Sequence, residues 1–313
     1  MKKIILWFLI IIISTPVILW VALPYLPYQQ YVAAAVKAQI ESYGIKVESL
    51  EIIEISTKKA AIANFSISSG DLIVSSQKID VNYDLKYLFR GKLYGGVIAP
   101  EVNFSGLPEP LPPIKIGANF LVPLENPSNG TLALNELVIP WAGGEVSTKP
   151  VMFALSMDKP IFVTLKLNQV NLSEVLSKIS DGGVQGTGRV SGILPIVYYP
   201  DGRIDLRPGD ATAIETGTIT VSPQLLPGDN AQLELTRNAL QNFQYTTLQI
   251  VVSSDAANKP VLKFTIEGTN PQAFGERPVK LNVSVSGDFL PLIQQSMLAI
   301  NDIKQLLLIQ EKP

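Results

Sequence analysis

Among the residues of this chain that could carry acid–base chemistry, the carboxylates Asp201, Asp205 and Asp210 lie near each other in the sequence. Neighbouring carboxylates can act as general acid and general base when their surroundings separate their pKa values. The chain contains no histidine and no cysteine, which excludes a Ser–His–Asp triad, a thiolate nucleophile and a zinc–thiolate site. Asp201 is already explained by the hairpin turn that Asp201-Gly202 predicts. We therefore expect no enzymatic activity, no metal site and no cofactor.

The segment that holds these carboxylates reads "GTGRVSGILPIVYYPDGRIDLRPGDATAIETGTITVSP", residues 186–223. Apolar and polar residues alternate along most of it, which predicts strands with one wet and one apolar face. The segment is rich in sheet and poor in reactive groups, so the sheet itself is the feature that needs a function.

Composition limits the classes of partner. Of the 313 residues, 47% are hydrophobic and only 17% are charged, and the net charge is −2. A nearly neutral chain gives no electrostatic reason to bind nucleic acid, and we expect none.

Residues 1–27 are predicted to be a transmembrane anchor. Lys2 and Lys3 precede an apolar run at residues 4–25, which is long enough to span a bilayer as a helix. A secretory signal peptide is the alternative, but its apolar region would be shorter and closely followed by a cleavage site. The two lysines favour a cytoplasmic N-terminus, so we expect a single-pass protein whose bulk lies outside the cytoplasm.

Residues 28–44 are predicted to form an amphipathic helix. Val32, Val36 and Ile40 share one face, and Gly44 is a natural stop. Packing of this face on the following sheet is the favoured interpretation, and a helix lying on the membrane surface is the alternative.

Residues 45–290 are predicted to be one mainly β domain, an antiparallel meander of about fifteen strands. Two short helices interrupt it, at "YDLKYLFRG", where Gly91 ends the helix, and at "NLSEVLSKIS", where Asn171 is the N-cap. Residues 291–313 are predicted to form a C-terminal helix that begins near Pro291.

The alternation near the C-terminus places a set of apolar residues on one face of successive strands. They are Ile219, Val221, Leu262, Phe264, Ile266, Val279, Leu281, Val283 and Val285. Periodicity alone leaves two architectures open, a closed sandwich or barrel and an open sheet with an exposed apolar face.

Two stretches resemble known families. "IDVNYDLKYLFRGKLYGGVIAPEVNF", residues 79–104, is similar to the early part of AsmA-like proteins. Residues 186–297 resemble the YdbH-like branch of that group more closely, through the segment quoted above, "ALQNFQYTTLQIVVSSDAANKPVLKFTIEGTNP" and "GERPVKLNVSVSGDFLPLIQQSM". The resemblance is weakest at residues 105–185, and the chain is much shorter than a typical YdbH-like protein.

The resemblance implies a long curved antiparallel sheet with an open, taco-like apolar groove, anchored in the inner membrane and exposed to the periplasm. It further implies that phospholipid is the partner, that the nine apolar residues are candidate lipid-binding positions, and that an outer-membrane lipoprotein joins by strand addition. Some YdbH-like sequences carry the label dicarboxylate transport, but one membrane span cannot form a secondary carrier. A structural or envelope-assembly protein that carries no lipid is the alternative function.

Overall fold

The computed structural model of the chain describes residues 28–42, 44–106, 111–156, 158–179, 183–201, 203–225, 231–254 and 260–286. The predicted anchor at residues 1–27 and the predicted helix at residues 291–313 lie outside these ranges. Within them, no helix combines the length and apolar character needed to cross a bilayer.

Seventeen strands within the described ranges form one antiparallel sheet. They are β1 (Lys46–Ile55), β2 (Lys59–Ser69), β3 (Leu72–Tyr83), β4 (Lys92–Ser105), β5 (Ile114–Pro123), β6 (Thr131–Trp141), β7 (Gly144–Thr148), β8 (Val151–Ala154), β9 (Ile161–Asn171), β10 (Val184–Gly186), β11 (Arg189–Tyr198), β12 (Ile204–Leu206), β13 (Gly209–Ala213), β14 (Gly217–Val221), β15 (Phe243–Ser254), β16 (Pro260–Asn270) and β17 (Gly275–Ser286). The α-helices of the same ranges are α1 (Tyr28–Glu41), α2 (Leu172–Ile179), α3 (Ala231–Ala239) and α4 (Pro271–Phe274), and 3₁₀ helices cover Leu85–Arg90, Pro127–Asn129 and Pro223–Leu225.

The sheet is a meander in which several strands are pieces of one longer strand. β7 and β8 both pair with β6, β12 and β13 both pair with β11, and β13 and β14 both pair with β15. β10 pairs with β14 and continues the line of β11. With β7–β8, β10–β11 and β12–β14 each counted once, the seventeen strands fill thirteen positions, close to the predicted fifteen.

Prolines explain two of these interruptions. Pro150 separates β7 from β8, and Pro208 separates β12 from β13. A proline has no N–H to donate to a ladder, so the pairing stops there and resumes afterwards. The preceding residues still bond, since Lys149 N donates to Thr164 O at 3.0 Å and Arg207 N to Pro195 O at 2.9 Å.

The sheet is open, because β1 and β17 each pair on one side only within the described part of the chain. α1 packs on β1 and buries Val32, Val36 and Ile40 in the core of the first strands. The Gln29 side chain also donates to the carbonyl of Ile53 on this edge strand, at 3.3 Å. α1 thus covers the sheet, as the favoured interpretation of its sequence predicts.

The predicted helix after β9 is confirmed as α2, and Asn171 caps it by accepting a hydrogen bond from Ser173 N at 3.0 Å. Leu172 and Leu176 of α2 join a core whose most buried members are Val170 and Phe243. α3 is a helix that the sequence analysis missed, because "AQLELTRNA" lacks a continuous apolar stripe.

Tyr245 explains why the chain has glycine at two positions of the 186–223 segment. Its side chain is 1% exposed, and its hydroxyl donates to Thr187 O at 2.6 Å. A Cβ at Gly188 or Gly217 would lie 2.1 or 2.5 Å from that hydroxyl oxygen, so only glycine fits. Burial, helped by the charge of Glu215, raises the pKa of Tyr245 and keeps the hydroxyl a donor.

Asn270 holds the turn between β16 and β17 together from a fully buried position, 1% exposed. Its amide nitrogen donates to three main-chain carbonyls, those of Asn238, Ala239 and Gln241, at 2.9, 3.0 and 2.6 Å. Its oxygen accepts from the N–H groups of Gln272 and Ala273 at the start of α4, at 3.0 and 3.1 Å. One side chain therefore ties the end of α3 to α4.

We predict that Asn270→Asp lowers the free energy of unfolding by about 3 kcal/mol or more, because a buried carboxylate would face three carbonyl oxygens without a donor. The measurement is chemical denaturation of the variant beside Asn168→Asp, a control at an exposed position of β9. A loss no larger than that of the control would contradict the role assigned to Asn270.

Candidate functional site

The nine apolar residues picked from the alternation fall on one face of the sheet. The registers place Leu248, Ile266 and Leu281 opposite one another, and Ile250, Phe264 and Val283 beside them. Leu262 stands opposite Val285, whose side chain lies outside the described ones, and Ile219 stands opposite Phe243. Ile219, Val221 and Val279 belong to the same hydrophobic cluster. We call this side of the whole sheet the apolar face.

The apolar face continues far beyond these nine residues. One row of paired positions runs from β6 to β17 without a charged residue: Ile139, Val146, Leu167, Gly192, Ala211, Ile250, Phe264 and Val283. In the first strands, Ile52, Ile62 and Ile79 form a corresponding row, and Ala99, Ile116 and Leu137 form another. The sequence analysis missed the residues before Ile219, although alternation in segments such as "LALNELVIP" was the signal that could have found them.

The opposite face carries the charges. Lys280 pairs with Glu267 at 2.6 Å, and Lys115 pairs with Glu136 at 2.8 Å, each across two neighbouring strands. Such exposed pairs contribute little to stability, at most about 1 kcal/mol each. These charged pairs make this face of the sheet polar, whereas the other face is apolar.

Exposure of the apolar face varies along the sheet. Phe120 and Val122 of β5 are 3% and 1% exposed, and Phe243 of β15 is fully buried. Between these regions, no residue of β6, β7 or β8 is fully buried, and the apolar residues of these strands are half-buried except Pro140 and Met152, which are exposed. The middle of the sheet therefore presents apolar side chains that are only partly withdrawn from water.

Two of the predicted carboxylates, Asp201 and Asp205, serve the hairpin. Nη1 of Arg203 donates to both carboxylate oxygens of Asp205, at 3.0 and 3.1 Å, and the guanidinium lies 3.9 Å above the ring of Tyr199. Asp201 accepts from Arg203 N at 2.9 Å, as its turn position requires. Asp210 stands opposite Ile193 in the ladder. Within the described ranges, no group of three or more acidic residues is placed to hold a metal ion.

Comparison with family models identifies the family of the chain. Residues 110–308 match the family model of YdbH-like proteins, described as "Intermembrane phospholipid transport protein YdbH". The matched range begins well before residue 186 and includes most of residues 105–185, where the resemblance in the sequence is weakest. No curated protein and no solved structure is significantly similar to the chain.

The exposure pattern predicts unequal effects of charge on the apolar face. Leu248→Asp would place a carboxylate at a position 1% exposed, whereas Leu281 lies half-buried on the last strand. We expect Leu248→Asp to cost several kcal/mol and Leu281→Asp less than half as much, because water can reach the second carboxylate. Denaturation of both variants, with Asn282→Asp on the polar face as control, measures the difference. Equal losses would mean that β17 is covered like a closed core.

Proposed function

The chain belongs to the YdbH-like family of intermembrane phospholipid transport proteins, and from that premise we propose that its apolar face carries or shields phospholipids moving between inner and outer membranes. The observation that carries the proposal is the unbroken apolar row from β6 to β17, half-buried in the middle strands. Acyl chains need such a surface, while the charged head groups stay in water at its rim.

The free energy available from this surface matches the task. Burying one acyl CH₂ group contributes about 0.8 kcal/mol. A groove that covers ten of them would contribute roughly 8 kcal/mol, enough to offset much of the cost of lifting one chain from a bilayer. No catalytic residue is needed, which agrees with the structural roles of Asp201 and Asp205.

The proposed location is the inner membrane, with the bulk of the chain in the periplasm. The apolar run at residues 4–25, preceded by Lys2 and Lys3, is the proposed anchor. A reporter enzyme fused after Pro313 should therefore be active in the periplasm and inactive in the cytoplasm. Recovery of a mature protein cleaved between residues 22 and 35 would contradict the anchor and support a signal peptide.

One chain does not reach across the periplasm by itself in this proposal. Thirteen strand positions at about 4.8 Å each give a path of about 60 Å. β17 is an edge strand with one hydrogen-bonding side unpaired among the described residues, and such an edge favours strand addition. We propose that an outer-membrane lipoprotein extends the sheet there.

Photo-crosslinking in cells tests lipid carriage by the full chain. A crosslinking amino acid at Phe264 or Leu167, on the apolar face, should form adducts with phospholipid. The same amino acid at Lys263 or Lys166 is the matched control, because these exposed neighbours lie on the polar face. Adducts at the first pair alone are expected. Absence of lipid adducts at all four positions would favour the alternative, a structural or envelope-assembly protein.

A further inference from the structure

The chain enters the folded domain at one end of the strands, beside the edge strand β1. α1 runs antiparallel to β1, since the Gln29 side chain near the start of α1 reaches Ile53 O near the end of β1, at 3.3 Å, and a short connection joins the end of α1 to the start of β1. The start of α1 therefore lies beside the end of β1. The predicted anchor, residues 1–27, directly precedes α1 and therefore leads into this end of the strands.

The 3₁₀ helix Leu85–Arg90 lies at the same end of the strands and is held there by hydrogen bonds. Tyr83, the last residue of β3, donates from its N–H to Lys58 O in the β1–β2 turn, at 2.8 Å. Asp84 caps the helix by accepting from Lys86 N at 3.0 Å. Gly91, in the left-handed region at φ 66°, ends the helix.

This helix presents aromatic side chains to water. Phe89 is 82% exposed, the most exposed large hydrophobic residue of the described ranges. Leu124, whose N–H donates to Gly91 O at 2.9 Å, is 43% exposed, and Tyr94 is 40% exposed. Tyr87 stacks on Tyr94 with ring centroids 4.9 Å apart. Phe89, Leu124 and Tyr94 together form an exposed apolar patch, and such a patch marks a surface that contacts another apolar surface.

Basic residues surround these aromatics. Lys58, Lys86, Arg90 and Lys92 are all exposed, and none of them forms an ion pair within 4.0 Å among the described residues. Three acidic residues accompany them: Glu54, which pairs with Lys59 at 2.7 Å, Asp84, which caps the helix, and the exposed Glu125, so that the basic residues, with Lys59 counted, still outnumber the acidic ones. The local charge is therefore positive, although the chain as a whole carries a net charge of −2.

We propose that this basic–aromatic corner, formed by Lys58, Lys86, Phe89, Arg90, Lys92 and Leu124, docks on the anionic surface of the bilayer that holds the anchor. Aromatic and aliphatic side chains insert at the headgroup level, and lysine and arginine contact anionic lipid phosphates. The positive charge of the corner, and the entry of the chain at the same end of the strands, favour a bilayer over a protein as the docking partner. The proposal uses the anchor of the proposed function but not its lipid-carrying face. Docking would orient the sheet with this end of its strands, next to β1, towards the inner membrane.

The absence of cysteine allows a direct test on the full chain. Phe89→Cys and the control Ile214→Cys, an exposed apolar position on a different part of the sheet, are each labelled with an environment-sensitive fluorophore. The proteins are reconstituted into vesicles of phosphatidylethanolamine and phosphatidylglycerol that contain a lipid-borne quencher. We expect strong quenching and a blue shift at position 89 and neither at position 214.

Charge reversal separates docking from mere proximity to the anchor. Each basic residue near an anionic surface contributes roughly fivefold, so Lys86→Glu with Arg90→Glu should lower the docked fraction of position 89 at least tenfold. The matched control, Lys166→Glu with Lys263→Glu, should leave it unchanged. Vesicles of phosphatidylcholine alone should weaken the docking in the same way as the reversal.

Two results would overturn the proposal. One is a probe at position 89 that remains as exposed to water as the probe at position 214 in anionic vesicles. The other is a probe that is shielded equally without vesicles or with reversed charges, which would indicate a protein occupant such as a second copy of the chain. Neither result affects lipid crosslinking at Phe264, so failure of this proposal and failure of the proposed function can be told apart.

Discussion

The fold depends on the period of two in an antiparallel ladder and on registers that match it from strand to strand. Leu167, Gly192 and Ala211 can share a row with Ile250 and Phe264 only because the pairing keeps each strand in phase. A slip of one residue would turn a whole strand over and place its charges on the apolar face. In β15, for example, the register shifts between Tyr245 and Thr247. Tyr245 and Leu248, on either side of the shift, still belong to one hydrophobic cluster, so the bulge keeps both on the apolar face.

An open sheet leaves the side chains of its apolar face in contact with water, and the helices cover only part of that face. α1 covers the first strands, and α2 with the segment around Phe243 covers one end of the later strands. Most residues of β6, β7 and β8 remain half-buried. In an ordinary sandwich a second sheet would cover them, and a bound apolar ligand can do the same here.

The two ends of the strands differ in chemistry, and this difference gives the sheet a direction. The end near the entry of the chain carries Lys58, Lys86, Phe89, Arg90 and Lys92, whereas the other end is built from α2 and α4 with their capping asparagines. The unpaired edge of β17 adds a second direction, across the sheet, along which a partner strand can extend the apolar face.

Local patterns in the sequence determined the elements and their faces. Composition excluded the triad and the thiolate sites, alternation determined which residues share a face, and cap residues such as Asn171 and Gly91 marked the ends of short helices. Only the tertiary structure decided that β1 and β17 do not meet, that Pro150 and Pro208 divide single strand positions, and that Asn270 and Tyr245 are buried donors. The physical reason is that pleat and capping are set by neighbouring residues. Closure of a sheet depends instead on twist summed over many strands and on contacts between residues far apart in the chain.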